Sequence, residues 1–213
     1  QDSLTDMDAL SANRLVFTGA TSDQLTLSQH KGDLVLHVYE SGDALTIKNY
    51  YQTDKQHFEL VFDDRTVSAK EFRAMGVNFY GTEGNDTLSG FDGDDHIWGY
   101  AGNDSIYGNE GADTIYAGAG DDSIYGYGGA HIIYGEAGKA RRTGGSGDEI
   151  IIGGAGDDSL MGSDGADKYY FKRGHDNDIV YCNGTDQLIF KGASSSDVKM
   201  QNDGSSLIIR AYG

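Results

Sequence analysis

A carboxylate returns at nine-residue spacing through the middle of the chain: Asp86, Asp95, Asp104, Asp113 and Asp122, then Asp158 and Asp167, with Glu149 at the same phase. Carboxylates in such a series are hard oxygen ligands, and a row of them repels itself unless cations intervene. The other reactive side chains have no comparable order. His30, His37, His57, His96 and His175 are scattered, no H-E-x-x-H occurs, and no serine sits in G-x-S-x-G. The metalloprotease and α/β-hydrolase signatures are therefore absent. Adjacent acids such as Asp94-Asp95 and Asp121-Asp122 read as a cation ligand beside a turn-stabilising neighbour, not as an acid–base pair. Cys182 is the single cysteine, expected to be a free, partly buried thiol. No catalytic residue is assigned, and the chain is not expected to be an enzyme.

What positions these acids is a repeat. From Gly81 to Tyr170 the chain divides into ten nonads without a phase slip, beginning GTEGNDTLS, GFDGDDHIW, GYAGNDSIY. Position four is glycine in all ten, and position one is glycine except at Ala117. Position eight is Leu or Ile in eight: Leu88, Ile97, Ile106, Ile115, Ile124, Ile133, Ile151 and Leu160. Six residues of turn followed by three of strand cannot form a core alone. Two nonads make one 18-residue coil with a strand on each side, and the middle residue of each strand points inward. The fold class expected is all-β: a parallel β-roll of about ten nonapeptide repeats, flanked by small β-rich segments. Glycines at positions one and four are expected to take positive φ and turn carbonyl oxygens into the gaps between coils. Nonads n and n+2 share an edge, so their carboxylates face each other at roughly 4.8 Å strand spacing. A hard divalent cation converts that repulsion into a cross-link. A flexible all-oxygen ring suits Ca²⁺ better than the small octahedron of Mg²⁺.

Residues 81–170 closely resemble the repeats-in-toxin family, whose consensus nonad is G-G-x-G-x-D-x-U-x, and residues 171–180 continue it loosely through Gly174, Asp176 and Ile179. The resemblance implies calcium between turns, type I secretion, and folding only on reaching extracellular calcium. It also implies ligand sets of position-two and position-four carbonyls from one turn, position-one and position-three carbonyls from the next, and both position-six carboxylates. One site would use Thr82, Gly84, Asp86, Gly99, Ala101 and Asp104. The next on that edge would use Tyr100, Gly102, Asp104, Ala117, Ala119 and Asp122. A third, on the opposite edge, would use Phe91, Gly93, Asp95, Gly108, Glu110 and Asp113. One or two more are expected near Asp158, Asp167 and Asp176, for about four to six Ca²⁺ in all.

The pattern breaks in nonads six to eight, where position six becomes His131, Ala140 and Glu149 and the inward position of nonad seven is Arg142. An unpaired buried guanidinium is very costly, so Arg142 is not expected in the ladder. Either the coil persists without calcium, with Lys139, Arg141 and Arg142 neutralising Asp122 and Asp158, or residues 136–146 loop out and Asp122 pairs with Glu149. Position nine carries Trp98, Tyr107, Tyr116, Tyr125 and Tyr134, expected to stack outward as two aromatic ladders. Their first reading is cross-strand stabilisation; the sharper one is a face for a host-surface glycan or protein.

A second repeat brackets the nonads. Leu15-Val16-Phe17, Gly19-Ala20 and Leu34-Val35-Leu36 recur 173 residues later as Leu188-Ile189-Phe190, Gly192-Ala193 and Leu207-Ile208-Ile209. The domains expected are a β-rich spacer over 1–80 with a short helix near 68–75 behind the capping box Ser68-Ala69-Lys70-Glu71, the roll over 81–180, and a second spacer beginning at 181–213. Nonad blocks alternating with spacers in a longer array are the expectation. With 34 acidic against 16 Lys and Arg residues, a formal charge of −18, nucleic acid and anionic lipid are poor partners. Glycine stands at 32 and proline at zero, so glycine alone does the turning. No apolar run approaches a membrane span, and Gln1 to Leu15 lacks the basic and apolar regions of a cleavable export signal. A secreted monomeric segment of a toxin or adhesin is expected, with a module of an exported enzyme as the alternative.

Overall fold

The computed structural model describes residues 2–4, 13–30, 33–38, 44–48, 58–202 and 207–210. Among them nearly all regular structure is β, with one short α-helix, Ala69–Arg73, and one 3-10 turn, Ser22–Gln24. The nonads wind into a parallel β-roll. Even-numbered nonads supply His96–Trp98, Thr114–Tyr116, Ile132–Tyr134, Ile150–Ile152 and Lys168–Phe171 to one sheet. Odd-numbered nonads supply Thr87–Ser89, Ser105–Glu110, Ser123–Gly128, Arg141–Ser146 and Ser159–Asp164 to the other. Each strand pairs in parallel with the one 18 residues on, as Ile97 with Ile115 and Ile106 with Ile124. Leu88, Ile97, Ile106, Ile115, Ile124, Ile133, Ile151 and Leu160 form the buried ladder, none more than 1 % exposed. At about 1.5–3 kcal/mol for each buried side chain, this ladder is the roll's main apolar asset.

The turns use glycine differently from the expectation. From nonad three onward the positive φ falls at positions two and four, as in Tyr100 (+75°) with Gly102 (+114°) and Glu136 (+65°) with Gly138 (+121°). Position one has ordinary φ and needs glycine for space. A β-carbon on Gly108 would lie 2.6 Å from Asp113 Oδ2 and 2.8 Å from Gly126 O.

Nonads six to eight stay in the coil. Arg141–Ser146 keeps register on both sides, with Arg142 between Ile124 and Leu160, so residues 136–146 do not loop out. Arg142 does occupy the ladder, 1 % exposed, against the expectation. Its side chain is long enough to leave the apolar axis for the turn edge, where Nη1 lies 3.1 Å from Asp158 Oδ2. Gly135 makes room, since a β-carbon there would overlap the guanidinium. The apolar core divides at this coil, one cluster running up to Ile133 and the other starting at Ile151.

The roll's first coil is closed by the spacer. Thr26–His30, Asp33–His37 and Ala44–Ile47 form an antiparallel meander, and Thr26–His30 pairs in parallel with Asn78–Tyr80, which pairs with His96–Trp98. Spacer and roll thus share one sheet. The helix begins where Ser68 N–H donates to Glu71 Oε2 (2.9 Å) and Glu71 N–H donates to Ser68 Oγ (3.3 Å). It buries Phe72 against Phe91, with ring centroids 5.4 Å apart, and Arg73 holds Asp92 at 2.8 Å. The alternating segment Leu34-Val35-Leu36-His37-Val38-Tyr39 reads as a strand from its sequence, and Tyr39 lies outside the described residues. Cys182 is exposed, not partly buried, because the regular coil has ended before it.

Candidate metal centres

Each strand begins directly after position six, so the ladder register fixes every position-six side chain at a turn edge. On one edge Asp86 N–H donates to Asp104 Oδ1 (2.8 Å) and Asp104 N–H to Asp122 Oδ1 (2.9 Å). After Ala140, whose N–H donates to Asp158 Oδ1 (3.0 Å), the row ends with Asp158 N–H on Asp178 Oδ1 (3.0 Å). On the other edge Val77 N–H donates to Asp95 Oδ1 (2.7 Å) and Asp95 N–H to Asp113 Oδ1 (2.8 Å). There Asp113 N–H donates to His131 Nδ1 (3.2 Å), and Glu149 N–H to Asp167 Oδ1 (2.9 Å). One carboxylate oxygen therefore stitches consecutive coils.

The second oxygen is left over. Asp104, Asp122 and Asp167 are each at most 2 % exposed, and each has an Oδ2 with no hydrogen-bond partner, as have both Glu149 carboxylate oxygens; the equally buried Oδ2 of Asp158 and of Asp113 face Arg142 Nη1 at 3.1 Å and His131 Nδ1 at 3.3 Å. Buried, unpaired anionic oxygen is expensive, and the carboxyls respond. Burial, against two backbone hydrogen bonds, pushes Asp95 up to about 7. Burial pushes Asp104 up to about 6, and burial with the Asp167 charge takes Glu149 up to about 8. Asp113, Asp122, Asp158 and Asp167 are raised by burial too. For Asp122 and Asp158 the Arg142 charge only partly offsets it. Such oxygens are what a divalent cation satisfies.

The carbonyls needed to complete a site are on the same edges. Thr82, Gly84 and Asp86 lie one coil from Gly99, Ala101 and Asp104, with Ala101 N–H on Thr82 O at 3.4 Å. Tyr100, Gly102 and Asp104 meet Ala117, Ala119 and Asp122 in the same way, with Ala119 N–H on Tyr100 O (2.7 Å) and Gly102 N–H on Ala119 O (2.9 Å). These carbonyls each keep a second lone pair. Phe91, Gly93 and Asp95 lie a coil from Gly108, Glu110 and Asp113; Phe91 N–H donates to Asp95 Oδ2 (2.6 Å), and Gly93 is packed against the backbone of Ala74. Among the described residues no three carboxylate, imidazole or thiol side chains converge; what each edge offers between coils is a pair of carboxylates with main-chain oxygens beside them. That donor set fits calcium.

Two ladder residues escape a strict nonad count. Asp178, not Asp176, continues the first edge, and Asp186 continues the second by accepting from Asp167 N–H at 3.1 Å. Asp176 instead accepts from Gly156 N–H through Oδ2 (3.1 Å). The period lengthens to 20 and 19 residues after Tyr170, which hides them. The signal that finds them is Asp-x-apolar, since Asp178-Ile179-Val180 and Asp186-Gln187-Leu188 repeat Asp104-Ser105-Ile106.

Compared with known proteins, the chain matches the family model of the RTX calcium-binding nonapeptide repeat, in 4 copies, over residues 78–106, 107–139 and 143–178. No curated protein matches the chain.

Proposed function

Residues 78–178 are RTX calcium-binding nonapeptide repeats, and from that premise we propose that the segment is a calcium-operated folding switch in a large exported bacterial protein of the toxin or adhesin type. The observation that carries this reading is the row of buried, unpaired carboxylate oxygens on both edges of the roll. Two carboxylates about 5 Å apart repel by about 3 kcal/mol at a typical effective dielectric. One Ile in the ladder returns about 1.5–3 kcal/mol. Repulsion and apolar burial are of the same size, so the ion decides. About four to six Ca²⁺, in the three six-ligand sets described above and near Asp158, Asp167 and the following acids, turn each repulsive pair into a bridge. In the calcium-poor cytosol the chain stays unfolded and fit for type I export; outside, binding energy becomes folding energy. The segment acts as a monomeric scaffold and carries no catalysis of its own, so an exported parent enzyme would keep its chemistry elsewhere.

Far-UV circular dichroism at pH 7.5 tests the switch: strand signal should be lost in excess chelator and return on calcium titration. Native-like strand signal in chelator would refute it.

A second reading has its own support. Tyr80, Trp98, Tyr116 and Tyr134 stack on one face with centroids 5.0, 5.8 and 4.8 Å apart and rings within 12° of parallel. A ribbon of stacked, half-buried rings with Tyr80 exposed at its end offers an apolar edge to a sugar ring or a peptide. Trp98 fluorescence during titration with a glycan panel reads this out; an unchanged spectrum across the panel removes it and leaves the ladder a stabilising one.

A further inference from the structure

The 173-residue repeat is structural as well as sequential. Thr26 faces His37 and Leu27 faces Leu36 in the first spacer; Lys199 faces Arg210 and Met200 faces Ile209 in the second, the same register shifted by 173. Gly19 and Gly192 both have φ +80°. Thr21 N–H donates to the side chain of Gln24 (2.9 Å), and Ser194 N–H to that of Asp197 (2.9 Å), again 173 apart. Strand Asn13–Val16 is therefore the counterpart of strand Gln187–Phe190.

The two strands have different neighbours, on opposite edges. Gln187–Phe190 is added in parallel to the last strand of the roll, Lys168–Phe171, with Gln187 N–H on Asp167 O and Lys191 N–H on Phe171 O, both 2.8 Å. The alternation of a strand then turns the amides of 187, 189 and 191 toward the roll. In Asn13–Val16 the neighbour is Phe58–Val61, and Phe17 N–H donates to Val61 O at 2.8 Å. Residues 15 and 17 face that neighbour, and they correspond to 188 and 190. Arg14 and Val16, the counterparts of 187 and 189, face the other way, and among the described residues no strand lies there. Val16 is 67 % exposed, whereas its counterpart Ile189 sits beside Tyr170 and is half-buried. The aromatic packing agrees: Phe190 stacks on Phe171 at 5.1 Å, and Phe17 stacks on Phe62 at 5.2 Å.

We propose that the open edge of Asn13–Val16 is a docking strand for the terminal coil of another nonapeptide roll, which it extends in parallel as Gln187–Phe190 extends Lys168–Phe171. Each spacer then joins the end of one roll to the start of the next, and a Phe171–Phe17–Phe62 type of stack runs through the junction. The occupant is fixed by the internal copy: a roll strand ending in an aromatic, presenting a main-chain edge at nonad register. This goes beyond calcium binding, because it assigns the spacer a mechanical continuity between blocks.

The test is a tandem chain in which residues 1–185 are joined to residues 13–213, so that Asn13 of the inner spacer takes the place of Asp186. Hydrogen exchange is followed in saturating calcium for the single chain and the tandem. In the single chain, Arg14 and Val16 amides should exchange fast while Leu15 and Phe17 are protected. In the tandem, the inner copy's Arg14 and Val16 should slow about 100-fold. Val16→Pro in the inner copy removes a donor from the docking edge alone. It should return Arg14 to the single-chain rate and leave Leu15 protected. Inner-copy Arg14 and Val16 exchanging as in the single chain, or protection of both already present in the single chain, would overturn the proposal.

Discussion

Asp104 belongs to two neighbouring coils at once: its Oδ1 takes the Asp86 N–H, its own N–H goes to Asp122 Oδ1, and its Oδ2 is buried and unpaired. It stands in two of the proposed ligand sets, whereas Asp86 stands in one. Asp104→Ala should therefore lower the calcium stoichiometry in isothermal titration by about two, and Asp86→Ala by about one; equal losses would show that carboxylates are not shared between ions. Glycine at position one is constrained by space. Gly108→Ala places a methyl against Asp113 Oδ2 and the Gly126 carbonyl, and should cost about 1–3 kcal/mol in denaturation of the calcium-loaded protein. Glu136 poses the opposite problem, a non-glycine residue at φ +65°. Glu136→Gly removes a left-handed penalty of about 1 kcal/mol and should raise the denaturation midpoint in calcium. The sequence marks the first glycine class and not the second position. A period shows where a residue recurs and says nothing of why, and Tyr, Asn, Glu and Ser at position two conceal a shared φ.

At the scale of the coil, Arg142 puts a charged side chain where neighbouring coils are proposed to hold an ion. Its guanidinium is buried beside Asp158 on the edge where Ala140 has removed a carboxylate, so that coil carries its own positive charge. Arg142→Leu restores an apolar ladder but strands Asp158 without its cation, and should cost about 3–5 kcal/mol in denaturation of the calcium-loaded protein. Adding Ala140→Asp to it rebuilds an ordinary nonad. The double variant should bind more calcium than the parent, read by titration calorimetry; an unchanged stoichiometry would mean that the guanidinium does not stand in for an ion. The nonad phase, the inward Ile/Leu ladder and the two acid rows are legible because a strict period leaves one way to wind the chain. The placement of Arg142 is not, since a position in the period fixes the α-carbon while the reach of a long side chain decides where its charge ends. Asp178 and Asp186 are hidden for a related reason: after Tyr170 the turns lengthen, and only the strand pairing of Val180 and Leu188 keeps their carboxylates on the edges.

For the molecule as a whole, charge density and burial press in one direction. The nonads hold 17 acidic and 4 basic residues of the 34 and 16 in the chain, and the roll places many of the acids where water cannot screen them. Asp95, Asp104 and Glu149 are raised to about 7, 6 and 8 by burial, while in the unfolded chain they titrate near the usual carboxylate values of about 4. The metal-free roll therefore binds more protons than the unfolded chain between about pH 4 and 8. Stability from these groups is fully present at the acid end of that window and is lost as pH rises through the folded values. Protons and calcium are thus alternative ways to neutralise the same oxygens. In excess chelator the strand signal should be weak at pH 7.5 and grow on acidification to pH 5; in saturating calcium it should change little over the same range. Calcium binding at pH 5, where the metal-free roll is folded and its buried carboxyls hold protons, should release protons, measured as a buffer-dependent heat; at pH 7.5, where the metal-free chain is unfolded and ionised, it should release few. A chelated chain with the same strand content at both pH values would show that the buried carboxylates are not what holds the metal-free roll open.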